Sequence, residues 1–186
     1  MHDVTVVIPT ISEEVLTRDS IPDGVDIVVV REGTLNEARN AGVERAETDK
    51  IMLLDDDVRF SEEFFWDVVD RIGPDKLIGM ADWNYDLVAG RLMGFQKSTW
   101  ATVGGFDERL RSHMGDTDFA IGCHKRGYAI ERIDQSEIHH EGPPGAIERT
   151  NAWDHAWRGL YLAAKHPRYA LRLFRGMVEP AVTGSN

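Results

Sequence analysis

One cysteine, Cys123, stands among 186 residues, so no internal disulfide can form and nothing points to an oxidising compartment. Basic residues are also scarce: 21 Lys and Arg against 32 Asp and Glu leave a formal net charge of -11. That balance argues against a nucleic-acid partner, which would need a basic face. No apolar run approaches the ~20 residues that span a bilayer. The first residues show no basic stretch followed by an apolar one, so they read as a first strand rather than a signal peptide, and a cytoplasmic location is expected. Internal repeats, low-complexity stretches and Gly/Ser linkers are missing as well.

What the chain does have is 42% hydrophobic residues, enough for one α/β domain with a proper core. Val4-Thr5-Val6-Val7-Ile8, closed by Pro9, reads as a buried strand. Ser12-Glu13-Glu14 is expected to start a short helix with Ser12 as its cap. A second buried strand is expected over 26–30, a helix over 35–46 and a third strand over 51–54. Ser61 then caps a helix running to about 72, where Gly73-Pro74 stops it. Alternation of this kind implies a mainly parallel sheet covered on both faces, with ligands beyond the carboxyl ends of its strands. The second half is less regular. Strands are expected at 76–80, 90–97, 128–133 and 136–140, helices at 98–103 and 116–126, and two helical stretches at 149–165 and 167–178 after the Gly142-Pro143-Pro144-Gly145 loop.

The third strand ends in Asp55-Asp56-Asp57. Three adjacent carboxylates repel one another unless water or a cation screens them. A hard divalent cation takes oxygen ligands, and alternation along an extended backbone lets Asp55 and Asp57 face one ligand together. The plainer reading is a solvated acidic turn that caps the next helix, and the triplet alone does not choose between the two.

Taken with other segments, the triplet carries a resemblance. Val6-Val7-Ile8-Pro9-Thr10, then Glu37-Ala38-Arg39-Asn40-Ala41-Gly42, then Leu53-Leu54-Asp55-Asp56-Asp57 resemble, in order and spacing, the family 2 glycosyltransferases of GT-A fold. Val103-Gly104-Gly105-Phe106-Asp107-Glu108 and Gly115-Asp116-Thr117-Asp118-Phe119 resemble that family's acceptor-side segments, and Ile138-His139-His140 sits where it often has a metal-binding histidine. The likeness spans roughly residues 4–142. It implies a GT-A-like (Rossmann-like) catalytic domain over 1–145, with its nucleotide-sugar half at about 1–60 and its acceptor half at about 76–145. A helical extension over 146–186 would pack on the same domain.

The resemblance further implies an inverting, Mn2+- or Mg2+-dependent transfer from a nucleotide-diphosphate sugar to an acceptor hydroxyl. Asp116 is the implied general base. Asp57 and a nitrogen of His139 or His140, with His140 preferred, are the implied metal ligands, and Asp55 is a ribose contact or a water-mediated ligand. Pro9, Thr10, Glu32, Arg39, Asp55 and Asp56 would surround the nucleotide sugar. Asp118, Gly105 and Trp83 would lie on the acceptor side, although a tryptophan such as Trp83 serves equally as core.

The sequence also departs from the family pattern. Ile11-Ser12 follows the first Pro-Thr, where the family has Tyr-Asn. Arg31-Glu32-Gly33-Thr34 replaces Asp-Asp-Gly-Ser, and Gly115 replaces a Glu. A UDP-sugar donor is expected ahead of a GDP-sugar, with a glycan, glycolipid or other hydroxyl acceptor. Alternatives are a sugar nucleotidyltransferase, for which the Gly-rich basic loop after the first strand is missing, and a non-catalytic nucleotide- or sugar-binding module. In the tail, Tyr169, Leu171, Leu173, Phe174, Met177 and Val178 alternate with Arg168, Arg172 and Arg175. Such a helix packs on the domain, joins two copies as a homodimer, or lies on a membrane surface, in which case the location is the inner membrane face.

Overall fold

The computed structural model describes residues 3–82, 87–111, 113–141 and 152–178. Strand β1 (Val4–Pro9) is buried along its whole length, and the β-branched residues that announced it fill both faces of the sheet. It pairs parallel with β2 (Asp26–Val30) on one side and β3 (Lys50–Leu54) on the other. Beyond β3 the sheet continues through β6 (Val88–Gln96), β5 (Lys76–Ala81) and β7 (Ala129–Ile133). The order is β2-β1-β3-β6-β5-β7. Strand β6 runs antiparallel between β3 and β5, while β5 and β7 are parallel.

Helix α1 (Leu35–Arg45) lies against β1. The Thr34 amide donates to Glu37 Oε2 (2.6 Å) and fixes the first turn. Gly42 lets the helix approach closely, because a Cβ there would stand 2.3 Å from Val7 Cγ1. Helix α2 (Glu62–Arg71) begins at Ser61, whose hydroxyl accepts from the Phe64 amide, and buries Phe65, Val68 and Val69. Helix α3 (Lys97–Val103) ends in left-handed Gly104 and Gly105. Helix α4 (Gly115–Lys125) follows Met114, itself at φ 64°. One core cluster gathers Phe95, Phe106 and Phe119, with the Phe106 and Phe119 rings stacked at 4.5 Å; the other gathers the β1, β3 and α2 residues on the opposite face. The extension is α5 (Ala152–Lys165), a 3-10 turn at Pro167–Tyr169, and α6 (Ala170–Val178).

Two expectations fail. Ser12 caps no helix. Its amide donates to Thr10 Oγ1, and the short helix is a 3-10 turn four residues later, Leu16–Ser20. There Thr17 donates to the Asp55 carbonyl and accepts from the Val58 amide, which anchors the turn to the end of β3. The expected strand at 136–140 also breaks up. Asp134 accepts from the Ser136 amide and hydroxyl, which bends the chain into a 3-10 turn at Gln135–Glu137. Only β8 (His139–His140) remains extended, and it pairs with a strand the sequence did not announce, β4 (Val58–Arg59). Trp83, the Gly142–Gly145 loop and the last residues fall outside the described residues.

Candidate active site

The carboxyl end of β3 delivers the aspartate triplet to the sheet edge, where the three side chains have different surroundings. Asp56 turns back and accepts a hydrogen bond from Thr10 Oγ1 at the end of β1. Asp57 faces the small β4–β8 ladder, where the Val58↔His140 pairing puts its Oδ2 3.1 Å from His140 Nε2. The next residue closes the ladder, with the Glu141 amide donating to the Asp57 carbonyl (2.8 Å) and Glu141 pairing with Arg59 at 2.7 Å. His139, its neighbour on an extended backbone, is exposed. Of the two histidines, His140 therefore stands beside the triplet.

Asp55 lies innermost. Burial pushes its carboxyl up to about 7, against the pull of the Arg39 guanidinium, and the charges of Asp57, Asp116 and Asp56 push the same way as burial. Burial also raises Asp57, with His140 opposing and Asp56 adding. These dependences place Asp55, Asp57, Asp116 and Arg39 in one electrostatic field.

Gly90 on β6 is the meeting point of Asp116 and Arg39. Its amide donates to Asp116 Oδ2 (2.7 Å), and a Cβ at this position would lie 2.4 Å from Arg39 Nη2 and 3.1 Å from Asp116 Oδ2. Asp116 Oδ1 accepts from the Thr117 amide. Arg39 is buried, packs over the Phe106 ring at 5.4 Å and leaves its Nε without a partner.

Other expected residues are placed differently. Glu32 is exposed and pairs loosely with Arg45 (3.8 Å), while Arg31 donates to the Ser12 and Glu13 carbonyls and holds the loop after β1. Pro9 ends β1 opposite Val30. Asp118 points away from Asp116, since two residues of helix rotate a side chain by about 200°. It is buried, and its oxygens are taken by His166 Nε2 (2.7 Å) and Lys165 Nζ (2.9 Å). Lys165 also pairs with Asp107, which accepts from the Tyr161 hydroxyl (2.6 Å). Gly105 lines a cavity of about 620 Å³ with Asp107, Asp118 and Lys165. A Cβ on it would sit 2.9 Å from Asn40 Oδ1.

Sequence reasoning missed Arg91, whose charge acts on Asp57 and which donates to Gln135. It also missed Asn36 and Asn40. Asn36 is fully buried and donates to the Asp107 carbonyl; Asn40 accepts from Trp100 Nε1 and the Phe106 amide. The Ala-Arg-Asn segment was the available signal for Asn40. Cys123 is buried, which pushes its thiol up to about 12 and leaves it unreactive.

Among the described residues, no group of three or more His, Cys, Asp or Glu side chains is arranged to hold a metal ion alone. The site nonetheless fits a cation completed by a ligand. Asp57 Oδ1 is buried without a partner, a carboxylate and an imidazole stand together, and the crowded acids lack sufficient counter-charge.

The fold is GT-A-like, a mixed and mostly parallel sheet flanked by helices. Three solved structures carry the comparison. A mannosyltransferase from Pyrobaculum calidifontis, in complex with GDP-Man and Mn2+, matches with a TM-score of 0.59 and 15% identity, covering 99% of this chain and 76% of that one. Glucosyl-3-phosphoglycerate synthase from Mycobacterium tuberculosis, in complex with Mg2+ and UDP, gives 0.62 and 14%, covering 86% and 78%. A Drosophila β1,4-galactosyltransferase 7 mutant, with manganese, UDP-Gal and xylobiose, gives 0.57 and 12%, covering 81% and 74%. No protein-family model matches the chain, and no curated protein matches it by sequence.

Proposed function

We propose that this protein is a divalent-metal-dependent glycosyltransferase that moves a sugar from a nucleoside-diphosphate sugar to an acceptor hydroxyl with inversion. One observation carries the reading: the Asp57–His140 pair, with its unused carboxylate oxygen, stands at the same sheet edge as Asp55, Asp116 and Arg39. The three structural neighbours named above were solved with nucleotides or nucleotide sugars and Mn2+ or Mg2+, which supports the same choice of ligands here.

In this reading Asp57 and His140 hold the cation, with Asp55 behind them. When bound, the cation offsets the charge that develops on the leaving diphosphate. Thr10 and Asp56 flank the nucleotide at the end of β1. Arg39 adds a fixed positive charge without being exposed to solvent. Asp116 accepts the proton of the acceptor hydroxyl as that oxygen bonds to the anomeric carbon and the bond from this carbon to the diphosphate oxygen breaks. The amides of Gly90 and Thr117 occupy one lone pair on each Asp116 oxygen and fix the carboxylate's direction, which leaves acceptor capacity for the incoming proton. A UDP-sugar remains the preferred donor, and Trp83 the aromatic proposed to face a glycan or glycolipid acceptor.

The test is release of nucleoside diphosphate from a panel of nucleotide sugars with Mn2+. Asp116→Asn is expected to retain the thermal shift given by donor and Mn2+ while turnover falls at least ~100-fold. Near-normal turnover in that variant removes Asp116 as the base.

A further inference from the structure

Large apolar side chains are exposed at six positions among the described residues, and five of them, Trp153, Trp157, Leu160, Leu171 and Phe174, lie on the C-terminal extension. Trp153 is 82% exposed, Trp157 61% and Leu171 87%. On α5 the exposed residues are not scattered. At about 100° per residue, Trp153, Trp157, Leu160 and Ala164 fall within an arc of about 60°. Arg158, Leu162 and Ala163, on the rest of the circumference, are buried against the domain. The helix therefore has an apolar outward face in addition to the one it buries. On α6, Leu173 is buried while Leu171 and Phe174 point outward, and Arg175 lies on the same outward arc.

Charge identifies what this face meets. Residues 152–178 hold five basic residues and one acidic one, in a chain whose net charge is -11. Arg158 is buried and Lys165 is held by Asp107 and Asp118, but Arg168 and Arg175 are exposed on the same stretch of chain as Leu171 and Phe174. A second copy is a poor occupant, because a two-fold contact through this face would set the basic patch against itself. An anionic bilayer surface suits both properties. Tryptophans and leucines enter the headgroup boundary, and arginines pair with lipid phosphates. The acidic remainder of the chain is repelled by the same surface, which favours one orientation. Among the described residues no helix is long and apolar enough to cross a membrane, so the contact is peripheral.

We infer that the α5–α6 face docks on anionic lipid bilayers. The inference is independent of the transferase reading, since it is tested with no sugar donor present. The test is co-sedimentation of the full chain with phosphatidylglycerol vesicles and with phosphatidylcholine vesicles. At least tenfold tighter binding to the anionic vesicles is expected, weakening as salt rises from 0.1 to 1 M. Trp157→Ser with Leu171→Ser is expected to reduce binding tenfold or more, as is Arg168→Glu with Arg175→Glu. All four positions are solvent-facing or partly so, and circular dichroism of each variant checks that folding is retained. Three results overturn the inference: failure to bind anionic vesicles, equal binding by wild type and both variants, or a concentration-dependent dimer that the Trp157/Leu171 variant loses while neither protein binds vesicles.

Discussion

The protein holds two groups of buried or half-buried acids on opposite sides of α4, and they differ in how their charge is met. Behind the helix, Asp107 and Asp118 are saturated by Lys165, His166 and Tyr161. At the sheet edge, Asp55, Asp57 and Asp116 share Arg39 and His140, and one Asp57 oxygen goes without a partner. The acidity of each group follows. Burial alone would raise the Asp107 carboxyl, but the hydrogen bonds from Lys165 and Tyr161 outweigh it and hold it below 3.8. Asp55, with fewer compensating groups, is driven the other way, to about 7. Acids that are fully paired fasten the fold, and acids left short of counter-charge are available to a cationic ligand.

The largest effect that sharpens this contrast is expected from Asp118→Ala. It leaves the buried His166 without its carboxylate and takes from Lys165 one of its two, Asp107 being retained, and should cost about 3–5 kcal/mol in urea unfolding. A loss below ~1 kcal/mol would mean that the extension is held by other contacts. Next comes the pH dependence around Asp55, measured in chelator. Its folded-state pKa lies above the unfolded 3.8, so between about pH 4 and 7 the folded state binds more protons and stability should fall as pH rises. The decline attributable to this group is on the order of 2–4 kcal/mol, and Asp55→Asn should flatten it. An unchanged slope in the variant would refute the unfavourable burial of that charge. The smallest effect is expected from Tyr161→Phe, which removes one hydrogen bond to Asp107 and should cost about 1 kcal/mol. Asp107 contributes stability above its unfolded pKa of 3.8 and loses it as pH falls through the lower folded value. The acid-unfolding midpoint of the variant should therefore move up.

Much of the first seventy residues was legible because the signals are local. The β-branched run closed by Pro9, the helix over 35–46 and the Ser61 cap each depend on a few neighbours, and the observed boundaries agree within a residue or two. The aspartate triplet was legible for the same reason. The β4–β8 ladder was not, because two residues of pairing are fixed by Thr17 and by Arg59–Glu141 across 82 positions. The Asp118–His166 pair spans 48 residues and leaves no periodic trace. Gly115 read simply as a missing glutamate. In the fold its place is claimed from outside, since a Cβ there would stand 2.2 Å from the buried Asn36 amide nitrogen. That exclusion depends on a neighbour 79 positions away and is invisible along the chain.

The contact of Gly42 with Val7 has a reach beyond packing. Helix α1 carries Arg39 less than one turn from that contact, so the bareness of a single backbone carbon sets how far the guanidinium stands from the acids across the sheet edge. Any larger residue at position 42 would lift the helix off its strand and carry that charge outward with it. The position of a charge at the far rim is in this sense gauged by a hydrocarbon contact in the interior.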